Sequence, residues 1–221
     1  TILGLFLCLT LINGLNFIDI KDGLATFYSS LVFIYLVSII PPGSTFYMFM
    51  IFVILSQLVF YYFNSEPAKY YQGDGGSYSL GMIMYIGLIN TYNSISDIVD
   101  FSSISFDSDS LLKYNISLDS TNLGFILYII CLLPIFLELI LVIIFRFQKG
   151  LNPFLGSPDH IAIRLTKRGY STYKVSFIFA LLPVISTLIF LLIKAEISFI
   201  SVLMTFILAG IFIYKYLKNC I

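Results

Sequence analysis

The chain has 221 residues, of which 59% are hydrophobic, 17% aromatic and 11% charged, and its mean hydropathy is +0.97. Soluble domains contain about 45–50% apolar and about 25% charged residues. The composition therefore excludes a disordered chain, a collagen-like fibre and a secreted disulfide scaffold, and it indicates a protein that lies largely in lipid. Twelve Lys and Arg offset twelve Asp and Glu, which also excludes a strongly basic nucleic-acid-binding protein.

Long apolar stretches dominate the sequence. A helix needs about 20 largely apolar residues to span a bilayer, and seven stretches reach or approach that length. We predict an all-α integral membrane protein, a polytopic helical bundle with about seven transmembrane helices in a single domain. The predicted spans are 1–18, 24–40, 44–63, 77–92, 122–145, 175–193 and 198–217.

Basic residues are distributed unequally when successive spans alternate in direction. Ten of the twelve fall on one side, in the segments 19–23, 64–76 and 146–174 and in the C-terminal tail. Only Lys113 and Lys194 fall on the other side. Because cytoplasmic loops carry the excess of Lys and Arg, the first set of segments is predicted to be cytoplasmic. The Ser- and Asp-rich loop 93–121 is then extracytoplasmic, and we assign it no chemistry.

The first polar segment follows the first span. Asn13, Asn16, Asp19 and Asp22 recur every three residues, a spacing that predicts a row along one helical face. Their amide and carboxylate oxygens are typical ligands of a hard cation or of polar ligand groups. The alternative is a helix that has reached the lipid headgroups, where polar side chains cost little.

The second segment, 64–77, places three glycines around Asp74 and ends on Ser77 at the start of a span. Such a turn resembles a phosphate cradle with a carboxylate for Mg²⁺, because backbone N–H groups can approach a ligand closely. The alternative is a Gly-rich turn between two spans. Tyr70 and Tyr71 are typical either of a base-stacking platform or of an interfacial aromatic belt.

The third segment, 150–169, contains the only histidine of the chain, His160, and Arg164 four residues later. These two side chains would share a face if the segment is helical, and an Arg can bind phosphate through a bidentate fork. The alternative is an ordinary positive-inside loop. Glu138 lies within the fifth span and is either a functional acid or a partner for a basic or amide group on a neighbouring helix.

Together the three segments resemble the polyprenyl-phosphate N-acetylhexosamine-1-phosphate transferases, the group of the bacterial undecaprenyl-phosphate GlcNAc-1-phosphate and phospho-MurNAc-pentapeptide transferases. Residues 13–25 follow the family pattern N-A-x-N-x-x-D-G-x-D-G-L-A. Residues 63–81 follow F-N-x-x-P-A-K-x-x-x-G-D-x-G-S-x-x-L-G, and the third segment resembles the D-H-x-H-H-R-L loop.

The resemblance implies roles for individual residues. Asp74 and Asn16 would bind Mg²⁺, or Mn²⁺ in its place, against the diphosphate of a UDP-sugar. The positions that receive the uracil are matched by Asp22, Asn64 and Tyr71. His160 and Arg164 would face the sugar-diphosphate, and Asp19, Asp74 and His160 would be the catalytic residues.

The implied reaction moves a HexNAc-1-phosphate from a UDP-sugar to polyprenyl phosphate and releases UMP. Its product would be a lipid-linked precursor for cell-wall or surface-polysaccharide biosynthesis. The expected location is the inner (cytoplasmic) membrane, with the site on the cytoplasmic face where a soluble nucleotide and an insoluble phosphate meet. A homodimer is compatible with the resemblance, and no nucleic-acid partner is expected.

The sequence departs from the family pattern in three places. Ile20 replaces the first glycine of the D-G-x-D-G motif, and Ala162 and Ile163 stand where the family has two histidines. The family's paired aspartates are expected before Asn13 and are not among the preceding residues. We therefore expect an N-terminally incomplete enzyme whose 221-residue chain is inactive alone. The alternatives are a catalytically inactive fragment or scaffold of the family and a polytopic membrane transporter.

Overall fold

The computed structural model describes residues 2–96, 120–152 and 159–192. Within these residues the chain forms seven helices and no strand. The helices are α1 (Ile2–Ile18), α2 (Leu24–Ile39), α3 (Thr45–Asn64), α4 (Gly73–Ser96), α5 (Ser120–Gln148), α6 (Ile161–Lys167) and α7 (Thr172–Leu192). The predicted all-helical class is thereby confirmed.

Six of these helices lie over the first six predicted spans, and α6 is a short additional helix within the segment 146–174. In the described part of the chain, three helices are long and apolar enough to cross a membrane, at Thr45–Asn64, Asn122–Gln148 and Thr172–Phe190. Helices α1 and α2 are apolar but shorter. The predicted span 198–217 and most of the loop 93–121 lie outside the described residues, so the number seven stays a prediction.

The bundle packs around α1, α2 and α5. Helix α1 contacts α4 and α5, α2 contacts α3 and α7, and α5 also packs on α7. Glycine permits the closest of these approaches, because a Cβ at Gly81 of α4 would lie 2.7 Å from the Ile12 Cα atom of α1. The absence of a side chain at Gly81 thus lets the backbones of α1 and α4 come into direct contact.

Buried tyrosines link the helices by hydrogen bonds. The Tyr28 hydroxyl of α2 donates to the Cys131 carbonyl of α5 at 2.6 Å, and the Tyr128 hydroxyl of α5 donates to the Met84 carbonyl of α4 at 2.8 Å. Both rings are fully buried. A phenol group needs such a partner when it is removed from water, so these bonds fix the spacing of the helices.

The connection between α1 and α2 differs from the sequence prediction. Helix α1 ends at Ile18 and α2 begins at Leu24, so Asp19 and Asp22 lie in a turn, and the predicted helical row of four polar residues is wrong. Gly23 has φ +72°, a left-handed conformation that disfavours side chains, and a Cβ there would meet the Tyr61 ring at 2.9 Å. The turn redirects the chain and carries both carboxylates out of the helix.

Candidate functional site

The first two polar segments meet where α1 ends and α4 begins. The Ser77 hydroxyl lies 3.1 Å from the side-chain oxygen of Asn16, and the Asn16 amide nitrogen lies 3.3 Å from the Tyr78 hydroxyl. Ser77 is fully buried, and its hydroxyl is also 3.2 Å from the backbone carbonyl of Asp74. A single hydroxyl therefore connects the two residues predicted to bind the metal ion.

Two carboxylates lie next to this contact. Asp19 directly follows α1, and Asp74 is exposed in the first turn of α4. Burial, and secondly the negative charge of Asp74, together raise the pKa of Asp19 from 3.8 to about 6. The two acids are thus close enough to repel each other, which is a situation that a bound cation would relieve.

The donor set fits a magnesium ion. Among the residues that the structure describes, no group of three or more His, Cys, Asp or Glu side chains is placed to hold a metal. Mg²⁺ does not require such a cage, because it usually keeps several waters and binds one or two carboxylates together with substrate phosphates. The oxygens of Asp74, Asn16 and Asp19 are hard ligands of the kind that this ion prefers.

Two further contacts hold the turn after α1 against the segment before α4. The Asp22 carboxylate accepts a hydrogen bond from the Ala68 backbone N–H at 2.9 Å. The Thr26 hydroxyl lies 2.7 Å from the Asn64 side-chain oxygen and 3.0 Å from that of Gln72. Because a hydroxyl carries one proton, it donates to one of these groups and accepts from the amide N–H of the other.

The three residues predicted to bind the uracil differ in availability. Asn64 is buried, and its amide nitrogen donates to the Tyr70 carbonyl at 2.9 Å, so its side chain is engaged within the protein. One oxygen of Asp22 is occupied by Ala68, and the ring of Tyr71 is 74% exposed. Tyr71 is therefore the most accessible group of the three for stacking on a base.

The third segment reaches the first through an aromatic contact. His160 immediately precedes α6, and its ring meets the Phe17 ring edge-on, with the centroids 5.4 Å apart. Its Nδ1 atom lies 2.9 Å from a carboxylate oxygen of Glu138 in α5. Glu138 thus has a neighbouring basic group as its partner, one of the two roles that the sequence left open.

Arg164 is placed differently from His160. It is buried, its Nη2 and Nε atoms donate to the side chain and the carbonyl of Asp159 at 3.0 and 3.1 Å, and its guanidinium lies 3.7 Å from the centroid of the Phe145 ring. Lys149 also bonds the Asp159 carboxylate. His160 and Arg164 therefore have separate partners, and an Arg164 contact with the sugar-diphosphate stays a prediction.

Several residues of this region were not predicted from the sequence. Thr26 lies four positions after Asp22, a spacing that could have marked it as part of the same polar face. Phe17, Gln72 and Tyr78 carry no comparable signal, because their contacts join segments that are distant in the chain. The structure brings these residues together only through the packing of α1 on α4 and α5.

Comparison with known proteins agrees with the motif resemblance. The family model of glycosyl transferase family 4 matches residues 1–92. Comparisons with curated proteins and with solved structures gave no significant match. The matched residues contain the first two polar segments, and the family consists of membrane glycosyl-1-phosphate transferases that act on nucleotide sugars and lipid phosphates. Residues 1–92 are thus similar to glycosyl transferase family 4, the family of the polyprenyl-phosphate hexosamine-1-phosphate transferases.

Proposed function

We propose that the protein transfers a HexNAc-1-phosphate from a UDP-sugar to polyprenyl phosphate and releases UMP. The observation that carries the proposal is the convergence of the three polar segments at one end of the bundle. Asn16 meets Ser77, Asp22 meets Ala68, and Phe17 meets His160. These contacts connect chain segments up to about 140 residues apart around one group of acids.

Phosphoryl transfer depends mainly on positioning and on neutralising charge, so a site of this kind needs few reactive side chains. In the proposal, Asp74 and Asn16 hold Mg²⁺, which would neutralise charge on the diphosphate when bound, and Mn²⁺ is an alternative ion. Asp19 adds a second carboxylate beside Asp74. Asp22 orients the uracil, and the exposed ring of Tyr71 stacks on it. Asn64 holds the residue before Tyr71 through the Tyr70 carbonyl. His160 faces the sugar-diphosphate, and Arg164 holds Asp159, the residue before His160, in place.

The same proposal places the site at the cytoplasmic face of the inner membrane, where ten of the twelve basic residues are predicted to lie. A nucleotide sugar would arrive from the cytoplasm, and the lipid phosphate would arrive within the bilayer. The product is a lipid-linked precursor for cell-wall or surface-polysaccharide synthesis. The apolar surfaces of α3, α5 and α7 suit the lipid environment that the second substrate requires.

The test is the release of UMP from UDP-N-acetylglucosamine in the presence of polyprenyl phosphate and Mg²⁺. The longest natural form of the protein that carries this chain is purified in detergent and supplied with each component in turn. UMP is expected only when all components are present, and chelation of the metal with EDTA should stop its release. Flux of the nucleotide sugar into proteoliposomes without UMP formation would contradict the proposal and favour a transporter.

The variant Asp74→Asn tests in the same assay whether Asp74 belongs to the active site. Loss of one preorganised charge-stabilising group costs about 100- to 1,000-fold in turnover, and we expect a loss of at least this size. Glu66→Gln removes an exposed acid from the same segment and should leave turnover unchanged. Equal turnover in the two variants would show that Asp74 is not an active-site residue.

A further inference from the structure

Glu138 is a charged residue in an otherwise apolar helix. It lies within α5, near the middle of its C-terminal half, and its side chain is 1% exposed. Insertion of a charged side chain at the centre of a membrane helix costs about 2.5–3.5 kcal/mol. Such an acid therefore needs partners, and both of its oxygens face the start of α6.

The partners of Glu138 are hydrogen-bond donors on two consecutive residues. Oε1 lies 2.9 Å from Nδ1 of His160, and the Ile161 backbone N–H lies 3.3 Å from both carboxylate oxygens. A backbone N–H can only donate, so the oxygens of Glu138 act as acceptors at this point. An ionised carboxylate has no proton to donate, so with Glu138 ionised the proton of this hydrogen bond is carried by Nδ1.

The ring of His160 is restrained from a second direction. Phe17 meets it at an interplanar angle of 88°, and Phe17 is the residue after Asn16. Among the described residues, Glu138 is the one that bonds a ring nitrogen of His160. The His160 side chain remains 12% exposed, so the imidazole is positioned without being sealed off.

Resting on the proposed function, we infer that Glu138 is a positioning residue that fixes His160 in the Nδ1–H tautomer and leaves Nε2 as the ring nitrogen available to the substrate. Free imidazole side chains in water favour the opposite tautomer, with the proton on Nε2. The carboxylate thus changes what the ring offers: a neutral His160 presents an acceptor lone pair on Nε2, and a protonated one presents an N–H donor in the same direction.

The chain offers a direct test, because His160 is its only histidine. The 221-residue chain labelled with ¹⁵N in the histidine ring gives two ring-nitrogen signals that need no further assignment. At the alkaline end of a pH series, where imidazole is neutral, we expect the shifts of the Nδ1–H tautomer. A neutral ring with its proton on Nε2 would overturn the inference.

The variant Glu138→Gln tests whether Glu138 sets the tautomer of His160 or only fills space between the helices. Its amide keeps the shape of the side chain, can accept from Ile161 through its oxygen, and then presents an NH₂ group to Nδ1. We expect the tautomer population to move toward Nε2–H and kcat to fall about 10-fold or more, with the KM for the nucleotide sugar unchanged. Ring shifts identical to those of the wild type would contradict the inference.

Tyr128→Phe is the matched control. It also removes a buried hydrogen bond from α5, the one to the Met84 carbonyl, but at ten positions from Glu138. We expect a lower thermal midpoint with unchanged histidine signals and unchanged kcat. If Tyr128→Phe moves the histidine signals as much as Glu138→Gln does, the effect is a general loosening of α5 and the inference fails.

A double-mutant cycle tests whether Glu138 acts through His160. In a His160→Ala background, Glu138→Gln should lower kcat by less than 2-fold. A full additional loss in that background would assign Glu138 another role. Absence of UMP release from the wild-type protein would reject the proposed function instead, while the ring-nitrogen measurement, which uses no substrate, would still decide the tautomer.

Discussion

The Ser77 hydroxyl lies 3.1 Å from the Asn16 side-chain oxygen, and this contact joins the last turn of α1 to the first turn of α4. The two helices approach so closely that a Cβ at Gly81, one turn further along α4, would overlap the backbone of α1. Apolar packing thereby sets the distance across which the polar contact forms. The orientation of Asn16 depends on both.

Ser77→Ala should misorient Asn16 without removing it. Loss of the hydroxyl leaves the oxygen of the half-buried Asn16 without its interhelical donor, and we expect a cost at or below the lower end of the roughly 1–3 kcal/mol of a fully buried group. If Asn16 binds the metal ion, the concentration of Mg²⁺ required for half-maximal turnover should rise several-fold. The measurement is UMP release against Mg²⁺ concentration, together with the thermal midpoint in detergent.

Ser79→Ala provides the control for Ser77→Ala. Ser79 lies on the same helix and is exposed, and its hydroxyl donates to the Gly75 carbonyl one turn earlier. Surface substitutions of this kind stay within about 0.5 kcal/mol. An unchanged Mg²⁺ requirement in Ser77→Ala, or an equal rise in Ser79→Ala, would show that the hydroxyl of Ser77 does not position a metal ligand.

The proximity of Asp19 to Asp74 predicts that the stability of the protein falls as the pH rises. The pKa of Asp19 is raised from 3.8 to about 6 in the folded metal-free protein, chiefly by burial and secondly by the charge of Asp74. The folded state therefore binds more protons than the unfolded state between these two values. The contribution of Asp19 to the free energy of unfolding is therefore fully present below pH 3.8 and is lost as the pH rises through about 6.

Asp19→Asn tests that sign. In EDTA, the thermal midpoint of the wild type should fall relative to that of Asp19→Asn as the pH rises from about 4 to about 7. In Asp74→Asn, the Asp19 pKa should decrease but stay above 3.8, because burial is the larger cause. Parallel midpoint curves for wild type and Asp19→Asn would mean that the two states bind protons equally at this position.

Hydropathy and spacing predict much of this fold because they are local properties. The apolar stretches locate α1, α2, α3, α5 and α7. The predicted Gly-rich turn before Ser77 is wrong, because α4 already begins at Gly73 and these glycines form its first turn. The strict three-residue spacing of Asn13, Asn16, Asp19 and Asp22 suggested a continuous helix. Gly23 adopts a left-handed conformation, and the chain turns before that periodicity is completed.

The contacts of the third segment could not be predicted in the same way. Glu138 and His160 are 22 residues apart, and nothing in the local pattern distinguishes a substrate-facing acid from an internal partner. Arg164 was assigned by motif to the sugar-diphosphate, yet its guanidinium pairs with Asp159 and stacks on Phe145. Side-chain partners depend on how α5 and α6 pack, which is a tertiary property that spacing does not encode.

Two substitutions of Asp22 distinguish a role in nucleotide binding from a role in holding the turn after α1. Its carboxylate accepts from the Ala68 N–H, and an asparagine oxygen can accept the same bond. Asp22→Asn should therefore keep the wild-type thermal midpoint but raise the KM for the UDP-sugar several-fold, if the charge binds the uracil. Asp22→Ala leaves the N–H unpaired and should lower the midpoint as well.

The two Asp22 variants are compared by thermal unfolding and by UMP release at varied UDP-sugar concentration. A KM for Asp22→Asn equal to that of the wild type, together with a lower midpoint for Asp22→Ala, would restrict Asp22 to a structural role at the turn. The comparison requires no assumption about the metal, because Mg²⁺ is held in excess throughout.

Arg164 is the residue for which the motif and the structure suggest different roles. Arg164→Lys keeps the positive charge but loses the two-point contact with Asp159 and the flat surface over Phe145. Breaking a buried ion pair costs about 3–5 kcal/mol, and we expect somewhat less here because Lys149 still bonds Asp159. The expected result is a lower thermal midpoint, whereas Lys149→Ala, at a partly exposed position, should change it little.

A raised KM for the UDP-sugar at an unchanged midpoint would instead support direct binding of the diphosphate, since a substrate contact does not contribute to the stability of the free protein.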